Sequence, residues 1–409
     1  MNPLPLVLAS LRRNRVTAGL FVVLIAVAVA LGIAISAQER ALRQGSARAA
    51  DRFDLIVAAP GSANDVLFSV IYLDPTAVEL LDPETSLKVL GEPRAEFAAP
   101  IGFGDNHDGS PVIGTTAAFI DHLSGGLAEG RVFAAVNEAV LGALATEQIG
   151  DHLDIGHGHG HGHDADADSH GEEGEEEGHD AVTVVGRMKP TGTPWDRAVI
   201  VPIEYNWVAH GLGTGHADGE TRIGPPFDPA KLPGIPAIVV KPQSVAAAYG
   251  LRNLYRTAQS TAFFPAEVLT GIYALMGNVA QVMSVLTIAA QTLVVAAILA
   301  GIFALLDLQR QRFAVLRALG APARFIFATV WLYVTALIGA GALIGLPLGW
   351  AAAAIVSNLV AAQTGVAMRA TVGSTEFTLV AILLGVGMLL ALVPAALVYR
   401  RPVVEALRS

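Results

Sequence analysis

The sequence predicts an integral membrane α-helical protein with four transmembrane helices and a large extracytoplasmic mixed α/β domain inserted between helices 1 and 2. Three observations carry this expectation. The chain of 409 residues is 53% hydrophobic with a mean hydropathy of +0.52, which exceeds ordinary soluble composition. Four long apolar runs carry no charged residue. Arginines gather on alternate connections between those runs.

Residues 1–16 form a short amphipathic basic segment with Arg12, Arg13 and Arg15. Residues 17–37, TAGLFVVLIAVAVALGIAISA, are the first span, since about 20 apolar residues cross a ~30 Å hydrocarbon core. The run is too long for a signal-peptide core, and no clear A-x-A site precedes a polar start, so it is expected to be retained. Residues 281–306, 325–353 and 377–399 are the second, third and fourth spans. The 307–324 loop carries Arg310, Arg312, Arg317 and Arg324, and the 400–409 tail carries Arg400, Arg401 and Arg408. Arg369 is the one basic residue of the 354–376 loop. The positive-inside rule then places both termini and the 307–324 loop in the cytoplasm, and residues 38–280 outside.

Within 38–280, β-rich stretches at 54–59, 66–73, 181–186, 197–202 and 236–241 alternate with helical candidates such as 137–148. Residues 38–50 and 263–280 are expected to extend the first two spans as helical stalks. Gly45 and Ser46 leave a flexible linker as the other reading of the first stalk. On the third span Gly341, Gly345 and Gly349 fall four apart, a spacing that lets another helix approach closely, and Pro347 adds a potential kink. No span holds a central Asp, Glu, Lys or His, so no proton relay or intramembrane ion site is indicated.

Residues 151–180 read DHLDIGHGHGHGHDADADSHGEEGEEEGHD, with seven histidines and eleven carboxylates. They account for the whole net charge of −10, because the remainder holds 26 basic and 25 acidic residues. The chain has no cysteine, which excludes disulfides and thiolate metal sites. The candidate metal ligands are His152, His157, His159, His161, His163, His170 and His179, with Asp164, Asp166 and Asp168. Imidazole and carboxylate suit zinc, and imidazole suits nickel and copper. Alternating glycines impose no fixed geometry, so several overlapping weak sites in a disordered loop are expected. No HExxH is present, and the partial calcium-loop pattern from Asp164 to Glu175 has Ser169 where glycine is required. His107, His122, His210 and His216 are scattered and are expected to be surface or hydrogen-bonded histidines.

Three segments together resemble the permease subunits of the MacB, LolC and FtsX type of ABC transporter. These are LVLASLRRNRVTAGLFVVLIAVAVALG at the amino terminus, QRQRFAVLRALGAPARFIF (309–327) and LVPAALVYRRPVVEALR (392–408). Residues 137–155 and 181–202 are similar to elements of that family's outer domain. Phe313 stands where the family usually has an acid, which puts one ion pair in doubt. The resemblance implies a bacterial inner-membrane protein with a periplasmic domain. It further implies a paired permease (a homodimer is expected), two cytoplasmic ATPase subunits that bind the ATP, and work transmitted mechanically to the periplasm. Gln309, Arg310, Arg312, Arg317, Leu319 and Gly320 would form the ATPase-coupling surface. The chain holds no GK[ST] sequence and hence no phosphate-binding loop of its own, so it is not expected to be an enzyme. No tightly bound cofactor is expected beyond Zn2+ or another divalent metal at the histidine-rich loop. Membrane lipids and a periplasmic or lipoprotein metal-binding partner are expected contacts, and nucleic acid is not. Three functions stay open: divalent-metal handling, export of a lipoprotein, lipid, peptide or drug with the loop incidental, and an FtsX-like non-transporting scaffold.

Overall fold

A computed structural model describes residues 2–157, 181–275, 320–371 and 373–392, with isolated positions between 277 and 315. The chain divides into two compact units. One comprises Met1–Arg43, Leu275–Leu359 and Met368–Ser409; the other comprises Gln44–Ala274 and Val360–Ala367. The chain enters through α1 (Leu4–Arg13), with Arg12 and Arg13 in its last turn, where the helix dipole favours cations. Helix α2 (Arg15–Ala50) follows and passes through Gly45 and Ser46 without a break, so the stalk reading replaces the linker reading. Tyr72 and Tyr273 explain why: the Tyr72 hydroxyl donates to the Ser46 carbonyl at 3.2 Å, and the Ser46 and Tyr273 hydroxyls are hydrogen-bonded. Burial also pushes the Tyr72 hydroxyl above its ordinary pKa, so it stays a donor.

The second unit, which the sequence expectation puts outside the membrane and which is called the outer unit below, is a mixed sheet with helices against it. In chain order it runs β1 (Leu55–Ala58), α3 (Ala63–Ile71), α4 (Pro83–Leu90), β2 (Ala95–His107), β3 (Ser110–Thr115), α5 (Ala117–Ser124), β4 (Leu127–Gly130) and β5 (Glu138–Leu141). It continues with β6 (His152–Leu153), β7 (Gly156–His157), β8 (Val182–Met188), β9 (Val199–Pro202), α6 (Ile203–Ala209), β10 (Ala237–Pro242), α7 (Val245–Leu254) and β11 (Thr261–Phe263). The described strands lie in the order β11-β1-β10-β2-β3-β9-β5-β8-β4, with β7 on β2 and β6 on β8. Pairs β3·β9 and β5·β8 are parallel, and the other pairs are antiparallel. Period-two alternation divides β1 and β10 between two cores. Ile56, Ala58, Ala237 and Val239 join Phe53, Phe119 and Trp195 in one core, while Leu55, Val57, Ile238 and Val240 join Leu81, Trp207 and Phe227 in the other. Covered on both faces, these strands read as continuous apolar runs, which is why the sequence reveals them.

Two sequence expectations are corrected here. The run at 66–73 is not a strand; α3 occupies most of it, capped by Ser62, whose hydroxyl accepts from the Asp65 N–H at 3.2 Å. Its buried residues Val66, Leu67, Val70 and Ile71 follow a helical period that the β-branched composition obscures. Residues 137–148 are not a helix. β5 lies between β8 and β9, and Gly142 sits so close to the Trp195–Asp196 backbone that an added Cβ would lie 2.3 Å from the Trp195 carbonyl oxygen. Ladder pairing and burial there override a good helical composition.

Arg131 and Glu138 pin the entry to β5. One Glu138 oxygen accepts from Arg131 at 2.7 Å and from the Ala134 N–H at 2.7 Å. The Arg131 hydrogen bonds hold the Glu138 carboxyl at about 2, below its ordinary 4.5. A depressed carboxylate contributes stability that is present above the unfolded value and lost as pH falls toward the folded one. Thermal stability is therefore expected to decline between about pH 4.5 and 2, and Glu138→Gln should flatten that decline. An acid titration of Tm that is identical for wild type and variant would refute the assignment.

The remaining described elements are α8 (Ala323–Thr364) and α9 (Ser374–Leu390). At 1.5 Å per residue the 42 residues of α8 extend about 63 Å, roughly twice a hydrocarbon core. The helix continues to Thr364, so the first part of the expected 354–376 loop is helical. It runs through Pro347, as membrane helices tolerate. Among the described residues α2 and α8 are long and apolar enough to cross a membrane, and Glu376–Leu390 is a shorter apolar helix. One face of α2 (Phe21, Ile25, Val29 and Ile33) packs with Val330, Val334 and Leu337 of α8. The opposite faces expose Val23, Val27, Leu31, Leu343, Leu348 and Ile355, as expected for helices solvated by lipid. The 281–306 span and the last residues of the fourth span lie outside the described residues.

Candidate functional site

The glycine row on α8 fits against α2. An ideal Cβ on Gly341 would lie 2.5 Å from an Ile25 methyl carbon; on Gly345, 2.7 Å from the Ala26 carbonyl oxygen; on Gly349, 2.6 Å from the Ala30 carbonyl oxygen. Lipid supplies no hydrophobic drive between helices, so close backbone approach and dispersion hold such pairs together. Gly320 also has a conformational task. Its φ of +92° turns the chain before α8, where an L side chain would be strained.

Beyond that helix pair lies a polar knot that the sequence patterns do not reveal. Glu376, fully buried in the first turn of α9, accepts from Arg40 Nη2 at 2.6 and 2.8 Å, from Ser36 Oγ at 2.8 Å and from the Gly373 N–H at 2.8 Å. Arg40 Nη1 also donates to the Thr371 carbonyl at 3.1 Å. Ser357 donates to Gln38, which lies between Ser36 and Arg40 on α2, at 2.9 Å. A charge at the edge of an apolar run is the faint signal that would have identified Glu376.

In the outer unit, the TGTPWDR turn grips the end of α8. The buried Asp196 carboxylate accepts from the Thr191 N–H at 2.8 Å, the Thr191 hydroxyl at 2.7 Å and the Gly192 N–H at 2.7 Å. Trp195, fully buried, donates from Nε1 to the Val70 carbonyl at 3.0 Å. The turn so fixed aims Arg197 at the Ala362 and Gln363 carbonyls, at 3.0 and 2.8 Å. These are among the terminal carbonyls a helix leaves without intrahelical donors, and a cation there also meets the negative end of the dipole. Gly365, at φ +72°, ends the helix against Pro194, and the Ala367 N–H donates to the Gly192 carbonyl at 3.0 Å. Arg197→Ala is expected to raise amide exchange across 360–367 about tenfold, which is about 1.4 kcal/mol for a charge-assisted clamp. Unchanged protection there would show that the clamp is idle.

Most residues of the two sequence-predicted ligand and coupling groups lie outside the described residues: His159, His161, His163, Asp164, Asp166, Asp168, His170 and His179, and Gln309, Arg310, Arg312, Arg317 and Leu319. His152 lies in β6, hydrogen-bonded through Nδ1 to the Thr183 hydroxyl at 3.1 Å. The backbone of His157 pairs with Asp105 of β2, which anchors the amino-terminal stem of the loop to the sheet. Among the described residues no group of three or more His, Asp or Glu side chains is placed to hold a metal. The scattered histidines are all hydrogen-bonded. His107 pairs with the Asp154 carbonyl at 2.7 Å, His122 with the Arg52 carbonyl at 2.8 Å, His210 with the Asn206 carbonyl at 2.7 Å, and buried His216 with Glu204 at 3.2 Å.

Residues 282–403 match the family model described as FtsX-like permease C-terminal. The chain is similar to the crystal structure of the periplasmic region of MacB from Actinobacillus actinomycetemcomitans. That match has 12% identity and a TM-score of 0.33, and covers 55% of this chain and 95% of that one. No curated protein matches the chain. Residues 282–403 thus match an FtsX-like permease domain, and α2 and α8 are long and apolar enough to cross a membrane. The carboxy-terminal region is therefore similar to FtsX-like permeases.

Proposed function

We propose that this chain works as one of a pair of permease subunits above separate cytoplasmic ATPase subunits, and moves its outer domain through rigid helices instead of opening a channel. The observation that carries this reading is α8: one unbroken helix whose last turn, 360–364, belongs to the outer unit and is gripped by Arg197. A continuous helix conveys displacement with little loss, whereas a jointed connection absorbs it. The lack of a GK[ST] sequence in these 409 residues supports ATP hydrolysis by a partner in this reading. In this reading the cytoplasmic face from Gln309 to Gly320 receives the ATPase. Charge reversal at Arg310, Arg312 and Arg317 should abolish co-purification of the ATPase while leaving membrane insertion intact. Retention of full ATPase binding and stimulated hydrolysis would reject the coupling assignment.

The finer part of the proposal is divalent-metal handling by the loop between Gly156 and Asp180, on the outer side of an inner membrane. Its composition supports this: dense imidazole and carboxylate, held by two stems paired into the sheet. Zinc binding to the full chain should fall as pH drops through about 6.5, because protonated imidazole has no free lone pair for the metal. Deleting 156–180 should abolish that binding and alter growth under zinc chelation or excess. Identical growth of deleted and intact strains under zinc, nickel and copper limitation would leave lipoprotein, lipid, peptide or drug export, or a scaffold role, as the function.

A further inference from the structure

The histidine-rich segment leaves the sheet at one defined place. The register of β2 with β7 sets Asp105 opposite His157 and Asn106 opposite Gly156. Residues directly opposite in an antiparallel pair lie on one face of the sheet, with Cβ atoms about 4.5–5.5 Å apart. Helix α6 packs on the face that Asp105 occupies, and brings Asn206 and His210 to it.

Asp105 and His210 are held as a pair of metal ligands would be. Asp105 is buried in β2, and its Oδ2 accepts from Asn206 Nδ2 at 2.7 Å. His210 stands at the end of α6 with its side chain 41% exposed, and its Nδ1 lies 2.7 Å from the Asn206 carbonyl oxygen. A carbonyl only accepts, so in the neutral ring Nδ1 carries the proton and Nε2 the lone pair. Nε2 lies 3.6 Å from Asp105 Oδ1, too far for a hydrogen bond. The same separation suits two ligands of one zinc ion, since bonds of about 2.0–2.2 Å at a tetrahedral angle put their ends about 3.3–3.6 Å apart. Metal-bound histidines donate their other N–H to an acceptor such as a carbonyl, and metal-bound carboxylates are themselves hydrogen-bonded. Asn206 serves both here, with its carbonyl on His210 and its amide on Asp105. Two glycines make room for it. An ideal Cβ on Gly102 would lie 2.3 Å from Asn206 Oδ1, and one on Gly114 would lie 2.8 Å from Asn206 Cβ.

We propose that Asp105 and His210 hold one zinc ion at the root of the histidine-rich segment, with His157 as the third ligand and the fourth position open. The inference rests on the metal-handling reading above and adds one preorganised site to the many weak ones. The half-exposed ring of His210 is the way in, because Asp105 is closed to bulk water. The ion bonds Nε2 from solvent and then Oδ1, while Oδ2 keeps its bond to Asn206. Asp105 and His210 are positioned before the ion arrives, so less freedom is lost on binding than in a chain of alternating histidine and glycine.

The test is zinc titration of the full chain in lipid nanodiscs against a chromophoric chelator, with empty nanodiscs as the control. Cobalt(II) in place of zinc reports the geometry through its visible bands. The wild-type chain should bind one equivalent at least tenfold more tightly than the rest, with the intense cobalt bands of a tetrahedral site. His210→Ala, Asp105→Asn and His157→Ala should each weaken that equivalent at least tenfold and leave the weaker ones in place. His161→Ala should not move it. Deleting 158–180, which spares His157, should remove the weaker equivalents and keep the tight one. A tight equivalent that survives His210→Ala, a trim at a half-exposed position, would overturn the proposal and leave binding by the loop standing. Loss of the tight equivalent on deleting 158–180 would do the same. A tight equivalent with no weaker ones would uphold this site and reject the loop as a metal binder. No zinc binding by the wild-type chain above empty nanodiscs would overturn both.

Discussion

Gly349→Leu is expected to separate α2 from α8 and to destabilise the purified chain by about 3 kcal/mol or more, the upper range of overpacking. Even the first carbon of that side chain would lie 2.6 Å from the Ala30 carbonyl oxygen and 2.8 Å from Ile33 Cβ. The obstacle includes backbone, so no rotamer change relieves it, and the helices must move. Because packing is the main attraction between helices in lipid, a small separation forfeits contact along the whole row from Gly341 to Gly349. Gly339 supplies the control on the same helix, since a Cβ there meets nothing within 4 Å. Tm in nanodiscs should fall sharply for Gly349→Leu and hold or rise for Gly339→Leu, where a better helix former replaces glycine. Equal Tm values for the two variants would mean that the glycine row does not hold the pair together.

Removing Arg40 should be nearly as damaging. Arg40→Ala leaves the Glu376 carboxylate, fully buried, with only Ser36 and the Gly373 N–H as donors. Breaking a buried ion pair on one side costs about 3–5 kcal/mol; the surviving donors and the partial exposure of Arg40 place this site at the lower end. The physical cause is the stranded charge, so neutralising it should rescue much of the loss. The Arg40→Ala, Glu376→Gln double variant is expected to be more stable than Arg40→Ala alone, with a coupling of about 1–3 kcal/mol in a double-mutant cycle. Additive losses would show that Arg40 acts by packing alone. The pair ties α2 to the start of α9, so a weakened knot should also raise amide exchange in the first turn of α9.

The parts legible in the sequence are those governed by solvent and by local geometry. Runs at 17–37 and 325–353 announce lipid-solvated helices because a bilayer tolerates no unpaired charge. The buried strands β1 and β9 and the first four residues of β10 announce themselves because both faces are covered and every position is apolar or small. The glycines at 341, 345 and 349 are readable because helical periodicity puts them on one face. Helix α3 and strand β5 escaped, each for a physical reason. The β-branched residues of α3 are spaced for a helix, and the helix-forming residues of β5 are claimed by two neighbouring strands. Local preference amounts to tenths of a kcal/mol per residue and yields to ladder pairing and burial.

The functional side chains divide along the same line. Composition alone marks the histidine-rich segment and the arginines of the 307–324 loop, since dense ligands and positive-inside charge are statements about solvent and topology. Composition also determines the membrane class of the chain. Only tertiary structure brings Arg40 to Glu376 across more than three hundred residues and sets Arg197 on the last carbonyls of α8. Each of those meetings joins single polar residues that are unremarkable in their own stretch of sequence. What gives them their energy is desolvation, and desolvation exists only once the chain has folded around them.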